Sequence, residues 1–266
     1  MIPYNIFQTH KSKEYINSNS NLINATNSWK KYSNFNYKFY NDIQCRQFIQ
    51  SYFPDILTLY DKLPLGVMRA DLWRYCIIYK YGGIYADVDT VLEINPEIFI
   101  KNSKNLIVTP ENNTHFCQWV FAAPPNSPIL KCIIDLSIER IKNNNNKFND
   151  EHIIHHLTGP GVFTEAILLY IENNMASVLS EGSINTENDI KIKRGNIYES
   201  EKNLINYIHV FESNIFHNNY VRHLFAGSWH DGWTKLRDKL IRDNEINNVK
   251  KLINKPILGV LRSKNK

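Results

Sequence analysis

The first third of the chain alternates short apolar runs with helical spacing of apolar residues. Short apolar runs bounded by turn-forming residues predict strands at 2–7 and 37–40. Weaker helical spacing follows them at 20–32 and 42–53, and the second of these helices stops before Pro54. A regular alternation of strand and helix favours an α/β fold.

The clearest helix is predicted from Leu65 to Tyr81, where apolar residues recur every three or four positions. The pair Gly82-Gly83 supplies the usual stop signal after it. Asp71 and Arg74 lie three residues apart on this helix, so the two charged side chains point to the same flank.

The rest of the chain continues the alternation, without an internal repeat or a linker rich in Pro, Gly or Ser. We therefore expect one α/β domain over residues 1–266. The remaining elements are predicted as strands at 84–86, 106–109, 119–122, 190–192 and 207–211, helices at 129–142 and 163–173, and loops at 143–149 and 180–189.

Composition excludes several classes of protein. Hydrophobic residues make up 43% and charged residues 21% of the chain, as in ordinary globular proteins. The net charge of +5 is mild and spread along the chain, so no nucleic-acid partner is expected. No apolar run approaches the ~18 residues that span a bilayer, and no targeting segment is visible, so we expect a soluble, cytoplasmic protein. The four cysteines lack metal-site spacing and are expected to be reduced thiols.

Candidate chemistry is concentrated at Asp87 and Asp89, which directly follow the predicted strand at 84–86. The two acids are two positions apart and would share one face of a strand, and we expect the strand to break here into a turn from which both carboxylates reach one ion. Such hard oxygen ligands suit Mg²⁺ or Mn²⁺, which complete their shell with water and phosphate oxygens. The alternative is a strand-end turn with two solvated acids. The helix that carries Asp71 and Arg74 favours the metal-diphosphate site, because it ends just before the strand.

At this point the sequence resembles glycosyltransferase family 32, in which an Asp-x-x-Arg helix precedes Tyr-Gly-Gly-x-Tyr and Asp-x-Asp. The resemblance is strongest to the branch with the fungal α-1,6-mannosyltransferases that initiate outer chains. It is carried by IPYNIFQTHKS (2–12), MRADLWRYCIIYKYGGIYADVDTVL (68–92), FCQW (116–119), AAPPNSPIL (122–130), TGPGVFTEAI (158–167) and HLFAGSW (223–229).

The resemblance implies a GT-A type fold, with a Rossmann-like central mixed sheet flanked by helices, and sugar transfer with retention of configuration. Residues 1–110 would form the nucleotide-sugar-binding half. Residues 111–233 would form the acceptor-side half, and residues 234–266 would add closing helices. The donor would be a nucleotide sugar, with GDP-mannose favoured and a UDP-hexose possible. The acceptor would be a glycan, a glycolipid or a protein.

The resemblance also implies a metal and diphosphate site. Asp89 would bind Mn²⁺ or Mg²⁺ directly, and Asp87 would contact the ribose or the ion's water shell. His223 would be the C-terminal metal ligand, although the family's usual second histidine is Leu224 here. Ser228 and Trp229 would close over the diphosphate.

Donor contacts follow from the same resemblance. Asp71 would hydrogen-bond the ribose and the donor sugar, and Arg74 would meet the diphosphate or the sugar hydroxyls. The Gly159 and Gly161 turn would let the backbone approach the donor sugar. Glu165 is the candidate for a carboxylate that assists catalysis, and its alternative is a solvent-facing acid in the first turn of a helix.

Two other functions stay open at this stage. The residues DVDTVL also satisfy the nucleophile motif of haloacid-dehalogenase-like phosphatases, although no later acidic pair for Mg²⁺ is visible downstream. A sugar-binding domain of the same fold without turnover is the non-enzyme alternative. The neighbours His155 and His156 are expected to be structural or acceptor-facing, because adjacent side chains do not converge on one ion.

Overall fold

The computed structural model of the chain describes residues 1–109, 111, 115–144, 152–174, 177–181, 207–211, 216–227 and 234–235. Strands and helices alternate through most of this part. In chain order they are β1 (Asn5–Thr9), α1 (Lys13–Asn17), α2 (Ser20–Lys30), β2 (Asn36–Tyr40), α3 (Asp42–Tyr52), a 3-10 turn (Pro54–Ile56), α4 (Leu57–Lys62), α5 (Gly66–Tyr81), β3 (Gly83–Ala86), β4 (Thr90–Leu92), α6 (Glu97–Ile100), β5 (Leu106–Val108), β6 (Val120–Ala123), α7 (Pro128–Asn143), α8 (His152–Leu157), α9 (Pro160–Asn174), β7 (Ser177–Glu181), β8 (Tyr207–Phe211), a π-helical turn (Phe216–Tyr220) and β9 (Val221–His223).

The longer predicted elements are confirmed with small shifts at their ends. The loop predicted at 180–189 is wrong at its start, because Ser180 and Glu181 belong to β7, which pairs in parallel with β8. The strand predicted at 190–192 lies outside the described residues, as do the closing helices beyond residue 235. The short elements α1, α4, α6 and β4 were not predicted, because these segments show no clear period.

The sheet confirms the mixed α/β architecture. Its described strands run in the order β2-β1-β3-β6-β5-β8-β7. Strand β1 pairs in parallel with β2 and β3, and β8 pairs in parallel with β5 and β7. Strand β6 is antiparallel to both β3 and β5. The carboxyl ends of β1, β2 and β3 therefore meet at one edge, which is where α/β sheets usually bind ligands.

Alternating side chains of the central strands pack into separate cores on the two faces of the sheet. Phe7 and Tyr85 belong to the larger core, which also contains buried residues of α3, α5, α7 and α9. Ile6 and Ile84, their neighbours along the strands, belong to the second core together with Trp29 of α2. The central sheet is thus flanked by helices on both faces.

A second pair of strands joins the C-terminal part of the described chain to the segment that follows β3. Strand β4 is antiparallel to β9, and Thr90 is paired with His223 in this register. The indole Nε1 of Trp29 donates to the backbone and side-chain oxygens of Thr90, at 3.0 and 3.1 Å. His223 is thereby fixed one residue away from Asp89.

Two further properties follow from the fold. Cys45, Cys76, Cys117 and Cys132 are all free thiols, as predicted. Within the described ranges, no helix is both long and apolar enough to cross a membrane.

The junction between α5 and β3 depends on two glycines. Gly82 and Gly83 have φ angles of +64° and +122°, which side-chain-bearing residues rarely adopt. A Cβ atom on Gly83 would lie 2.5 Å from the carbonyl oxygen of Asn5, because β3 passes close against β1 here. This junction sets where β3 begins, and therefore where Asp87 lies at the end of that strand.

We predict that Gly83→Ala lowers the free energy of unfolding by about 2 kcal/mol or more, through backbone strain and the clash with Asn5. Gly66→Ala is the matched control, because a Cβ at Gly66 would meet no atom within 4 Å. That control should leave stability unchanged or raise it by up to about 1 kcal/mol. Urea unfolding of both variants measures the difference, and equal stabilities would contradict this account of the junction.

Candidate active site

The predicted break of the strand after residue 86 is present as a tight turn around Asp87. The Asp87 amide donates to the carbonyl of Trp119, the residue before β6, at 2.8 Å. Its carbonyl accepts hydrogen bonds from the Thr90 hydroxyl at 2.6 Å and from the Gln8 amide at 3.0 Å. This turn brings the side chains of Asp87 and Asp89 to the same side of the backbone.

His223 joins the two aspartates through the pairing of β4 with β9. One potential ligand atom each from Asp87, Asp89 and His223 lies within 4.8 Å of the others. The Nε2 atom of His223 is 3.4 Å from Oδ1 of Asp89. The other carboxylate oxygen of Asp89 accepts the amide of Ala226 at 3.0 Å, and its carbonyl accepts the amide of Leu224 at 2.8 Å.

The chemistry of these residues fits a divalent cation. Two carboxylates and one imidazole are a ligand set that Mn²⁺ or Mg²⁺ accepts, with open positions left for substrate oxygens. Asp71 and Asp87 share the guanidinium of Arg74, and Asp89 contacts His223, so a cation would balance the remaining negative charge of the three acids. The fit of His223 has one condition. Its Nδ1 accepts the Phe225 amide at 3.1 Å, whereas a metal-bound histidine ordinarily donates from that nitrogen, so this hydrogen bond must rearrange.

Arg74 lies behind the aspartates and connects them to α5. A terminal nitrogen of its guanidinium is 3.1 Å from Oδ1 of Asp71 and 3.4 Å from Oδ1 of Asp87. The guanidinium lies over the ring of Tyr85 at 4.5 Å, and the Tyr85 hydroxyl donates to the Asp87 carboxylate. Asp71 and Arg74 are only 1% and 5% exposed, so their predicted common direction is confirmed as a buried ion pair.

The Asp71 carboxylate is hydrogen-bonded on both oxygens. It accepts the side-chain amide of Gln118 at 3.2 Å and the hydroxyl of Thr158 at 3.0 Å. The Tyr75 hydroxyl adds a hydrogen bond of 2.7 Å to the carbonyl of Thr158. Burial raises the pKa of Asp71 to about 7, although the charge of Arg74 and these hydrogen bonds act in the opposite direction.

Electrostatics separate the two aspartates of the turn. Burial raises the pKa of Asp87, and the charge of Arg74 only partly offsets this. Burial also acts to raise the pKa of Asp89, but hydrogen bonds from His223 and Ala226 and the charge of His223 lower it overall. The pKa of His223 is raised, because its contact with Asp89 outweighs the effect of burial. Asp89 is therefore the more readily ionised of the two carboxylates.

The site contains residues to which sequence reasoning gave no role. Gln118 and Thr158 lie within the segments that resemble the family, and they support Asp71. Glu111 is a half-buried acid whose pKa is raised by burial and by the charge of Asp87, while His223 lowers it. No sequence signal distinguishes Glu111, since it lies in a polar, asparagine-rich segment.

For three other predicted residues, the structure describes contacts with α7 and α8. Glu165 is 52% exposed at its side chain and forms an ion pair with Arg140 of α7 at 2.5 Å. Gly159 and Gly161 pack against the backbone of α8, where added Cβ atoms would lie 2.8 Å from atoms of His155. The backbone at these two glycines thus approaches the backbone of α8 closely. Ser228 and Trp229 lie outside the described residues.

The adjacent histidines of α8 have different neighbours, as expected for a structural pair. His156 contacts the guanidinium of Arg140 through Nδ1 at 3.2 Å. The ring of His155 packs edge-on against His115, with centroids 6.3 Å apart. The two imidazoles thus have separate structural surroundings.

Comparisons with known proteins agree with the resemblance noted in the sequence. Residues 4–106 match a family model described as a glycosyltransferase sugar-binding region containing a DXD motif. An initiation-specific alpha-1,6-mannosyltransferase of Schizosaccharomyces pombe is 30% identical over 267 residues, covering 86% of this chain and 64% of that protein. Inositol phosphoceramide mannosyltransferase 3 of the same yeast is 37% identical over 92 residues, covering 33% of this chain and 24% of that protein. The chain thus spans less than two thirds of either relative's length.

Among solved structures, PaToxG glycosyltransferase aligns over 64% of this chain and 70% of its own. The TM-score is 0.48 and the sequence identity is 20%.

We predict that Thr158→Val lowers the free energy of unfolding by about 1–3 kcal/mol, because the buried Asp71 carboxylate loses a hydrogen-bond donor. Thr26→Val is the matched control, since the buried Thr26 hydroxyl donates only to carbonyls of its own helix. The control should change stability by less than about 0.5 kcal/mol. Chemical unfolding at pH 8 gives the free energy of unfolding of both variants. An equal decrease in both would show that the hydrogen bond to Asp71 adds no stability of its own.

Proposed function

We propose that the chain, whose residues 4–106 match the family model of DXD-containing glycosyltransferases, is a divalent-metal-dependent glycosyltransferase. It would move a hexose, with mannose favoured, from a nucleotide sugar to an acceptor, with retention of configuration. The observation that carries the proposal is the convergence of Asp87, Asp89 and His223 beside the buried Arg74.

We assign the cation to Asp89 and Asp87, with His223 as the third ligand once its Nδ1 contact has rearranged. When bound, Mn²⁺ or Mg²⁺ supplies positive charge that stabilises the negative charge developing on the departing diphosphate. Asp89 would be the principal ligand, because its contacts with His223 and Ala226 lower its pKa, whereas burial raises that of Asp87. Its backbone contacts with Leu224 and Ala226 hold it in place.

Arg74 provides a fixed second positive charge. Its guanidinium is held between Asp71 and Asp87 and over Tyr85, so it does not need to be ordered when the substrate binds. Groups fixed in this way stabilise charge in the transition state at little reorganisation cost. We assign Arg74 to the diphosphate or to the hydroxyls of the donor sugar.

The contacts of Asp71 favour a reaction without a protein nucleophile. Asp71 is 1% exposed and accepts hydrogen bonds from Gln118 and Thr158 beside its ion pair with Arg74. A carboxylate with this many partners is suited to orient Arg74, and its contact with a sugar or ribose hydroxyl is proposed from its position in the motif alone. The acceptor hydroxyl would then attack on the face that the phosphate leaves, and a phosphate oxygen would take its proton. The catalytic role of Glu165 stays a prediction, since its described ion pair is with Arg140.

The names of the relatives support mannose as the transferred sugar. The two yeast relatives described above are both named mannosyltransferases, so GDP-mannose is the favoured donor and a UDP-hexose is the alternative. Their names point to different acceptors, and we keep a glycan, a glycolipid and a protein as candidate classes. Ser228 and Trp229 are proposed to close over the diphosphate, from their position in the motif alone.

A donor panel tests the proposal. The purified chain is incubated with Mn²⁺ and each of GDP-mannose, UDP-glucose, UDP-galactose and UDP-N-acetylglucosamine, and release of GDP or UDP is followed. We predict release from one donor that requires the metal and falls at least about 100-fold in Asp89→Asn, because the principal ligand is lost.

Asp135→Asn is the control for this experiment, because Asp135 lies in an exposed ion pair with Lys131 on α7. It should release nucleotide at the wild-type rate. Metal-dependent binding of a nucleotide sugar without any release would instead favour a sugar-binding domain that lacks turnover. Neither binding nor release with any of these donors would contradict the proposal.

A further inference from the structure

The aromatic side chain of Phe225 lies at the outer rim of the candidate site. The side chain of Phe225 is 70% exposed, although its neighbours Leu224 and Ala226 donate their amides to Asp89. The Phe225 ring packs against the His223 ring, with centroids 4.2 Å apart and planes at 72°. The imidazole of His223 thus lies between the Phe225 ring and the Asp89 carboxylate.

The backbone of Phe225 adopts an unfavourable conformation. Its φ angle is +51°, in the left-handed region. Asn102 and Asn126 are the other non-glycine residues with positive φ in the described ranges, and asparagine tolerates that region. A bulky residue there is a genuine outlier, and such outliers cluster at functional sites. Hydrogen bonds of residues 224, 225 and 226 to Asp89 and His223 hold the strained segment in place.

We propose that Phe225 is a specificity-determining residue whose ring face binds the sugar ring of the acceptor. This inference rests on the proposed glycosyltransferase function. The charged cluster of Asp87, Asp89 and Arg74 suits the ionic part of the donor. The Phe225 ring is exposed to solvent beside that cluster, where a second substrate can reach it.

The surroundings of Phe225 favour a saccharide over a lipid surface. Among the described residues of β9 and the segment after it, Phe225 is the one exposed large apolar side chain, and one ring is a small apolar area for a membrane. The nearby exposed ion pair of Arg222 with Glu93 makes the surface of β9 polar. A saccharide presents an apolar C–H face to an aromatic ring while its hydroxyls meet polar groups, and that chemistry matches a single ring at the edge of a carboxylate cluster.

The test measures how acceptor sugars stimulate release of nucleotide from the preferred donor. The probes are methyl α-mannopyranoside, methyl α-glucopyranoside and methyl α-galactopyranoside. Each is titrated up to about 100 mM, because such ligands bind weakly. We expect at least one of them to accelerate release by the wild-type protein in a saturable manner. Phe225→Ala should raise its half-saturating concentration about tenfold or more with little change in the maximal rate, and Phe225→Tyr should stay within about threefold of wild type.

Two further variants separate this role from a structural one. Ile98→Ala removes another exposed apolar side chain, 63% exposed on α6, and should leave the acceptor titration unchanged. Phe225→Gly should keep or raise the melting temperature, because glycine relieves the positive φ, while it weakens the acceptor response as alanine does.

The outcomes are distinct from a failure of the proposed function. If no donor is hydrolysed at all, the glycosyltransferase proposal itself fails. If donor hydrolysis is normal but no methyl glycoside stimulates it, or if Phe225→Ala responds like wild type, the role of Phe225 is contradicted. Equal loss in Phe225→Ala and Phe225→Tyr, with lower melting temperatures for both, would assign the ring a structural role.

Discussion

The buried guanidinium of Arg74 is the interaction on which the rest of the site depends. It lies between Asp71 of its own helix and Asp87 at the end of β3, and it thereby ties the position of α5 to the turn that carries both aspartates. Burying one charge without a partner would cost several kcal/mol, so the arrangement is stable only as a complete set. Gln118, Thr158 and Tyr85 complete it by donating to the two carboxylates. The helix, the sheet and the turn are consequently held in one geometry before any substrate arrives.

A second constraint brings the C-terminal part of the described chain to this turn. The pairing of β4 with β9 places His223 opposite Thr90, and the amides of Leu224 and Ala226 then hold Asp89. Asp89 thus receives its partners from residues more than 130 positions away in sequence. Two independent arrangements, one around Arg74 and one around β9, meet in the 87–89 turn, and together they fix the positions of both carboxylates.

Much of this arrangement could be predicted from the sequence, because the signals involved are local. The period of α5 placed Asp71 and Arg74 on one flank, and Gly82-Gly83 marked where the helix ends. Contacts between distant segments have no comparable signal in the sequence. Strand β4 pairs with β9, and Thr158 donates to Asp71. Both contacts join segments far apart in sequence, so no local periodicity predicts them. His223 was predicted only through its resemblance to a family motif, and Glu111 had neither a motif nor a period to indicate it. For Gly159 and Gly161, the glycines are explained locally by the close approach of α8.

The central claim is that the Asp87, Asp89 and His223 cluster holds a divalent cation beside Arg74. The most direct measurement is an electron paramagnetic resonance titration of Mn²⁺ into the wild-type chain and the Asp89→Asn variant, with GDP or UDP present. The account predicts one bound Mn²⁺ per chain in the wild type and an affinity at least about tenfold weaker in the variant. Equal affinity in the two proteins, or no bound Mn²⁺ with either nucleotide, would contradict it.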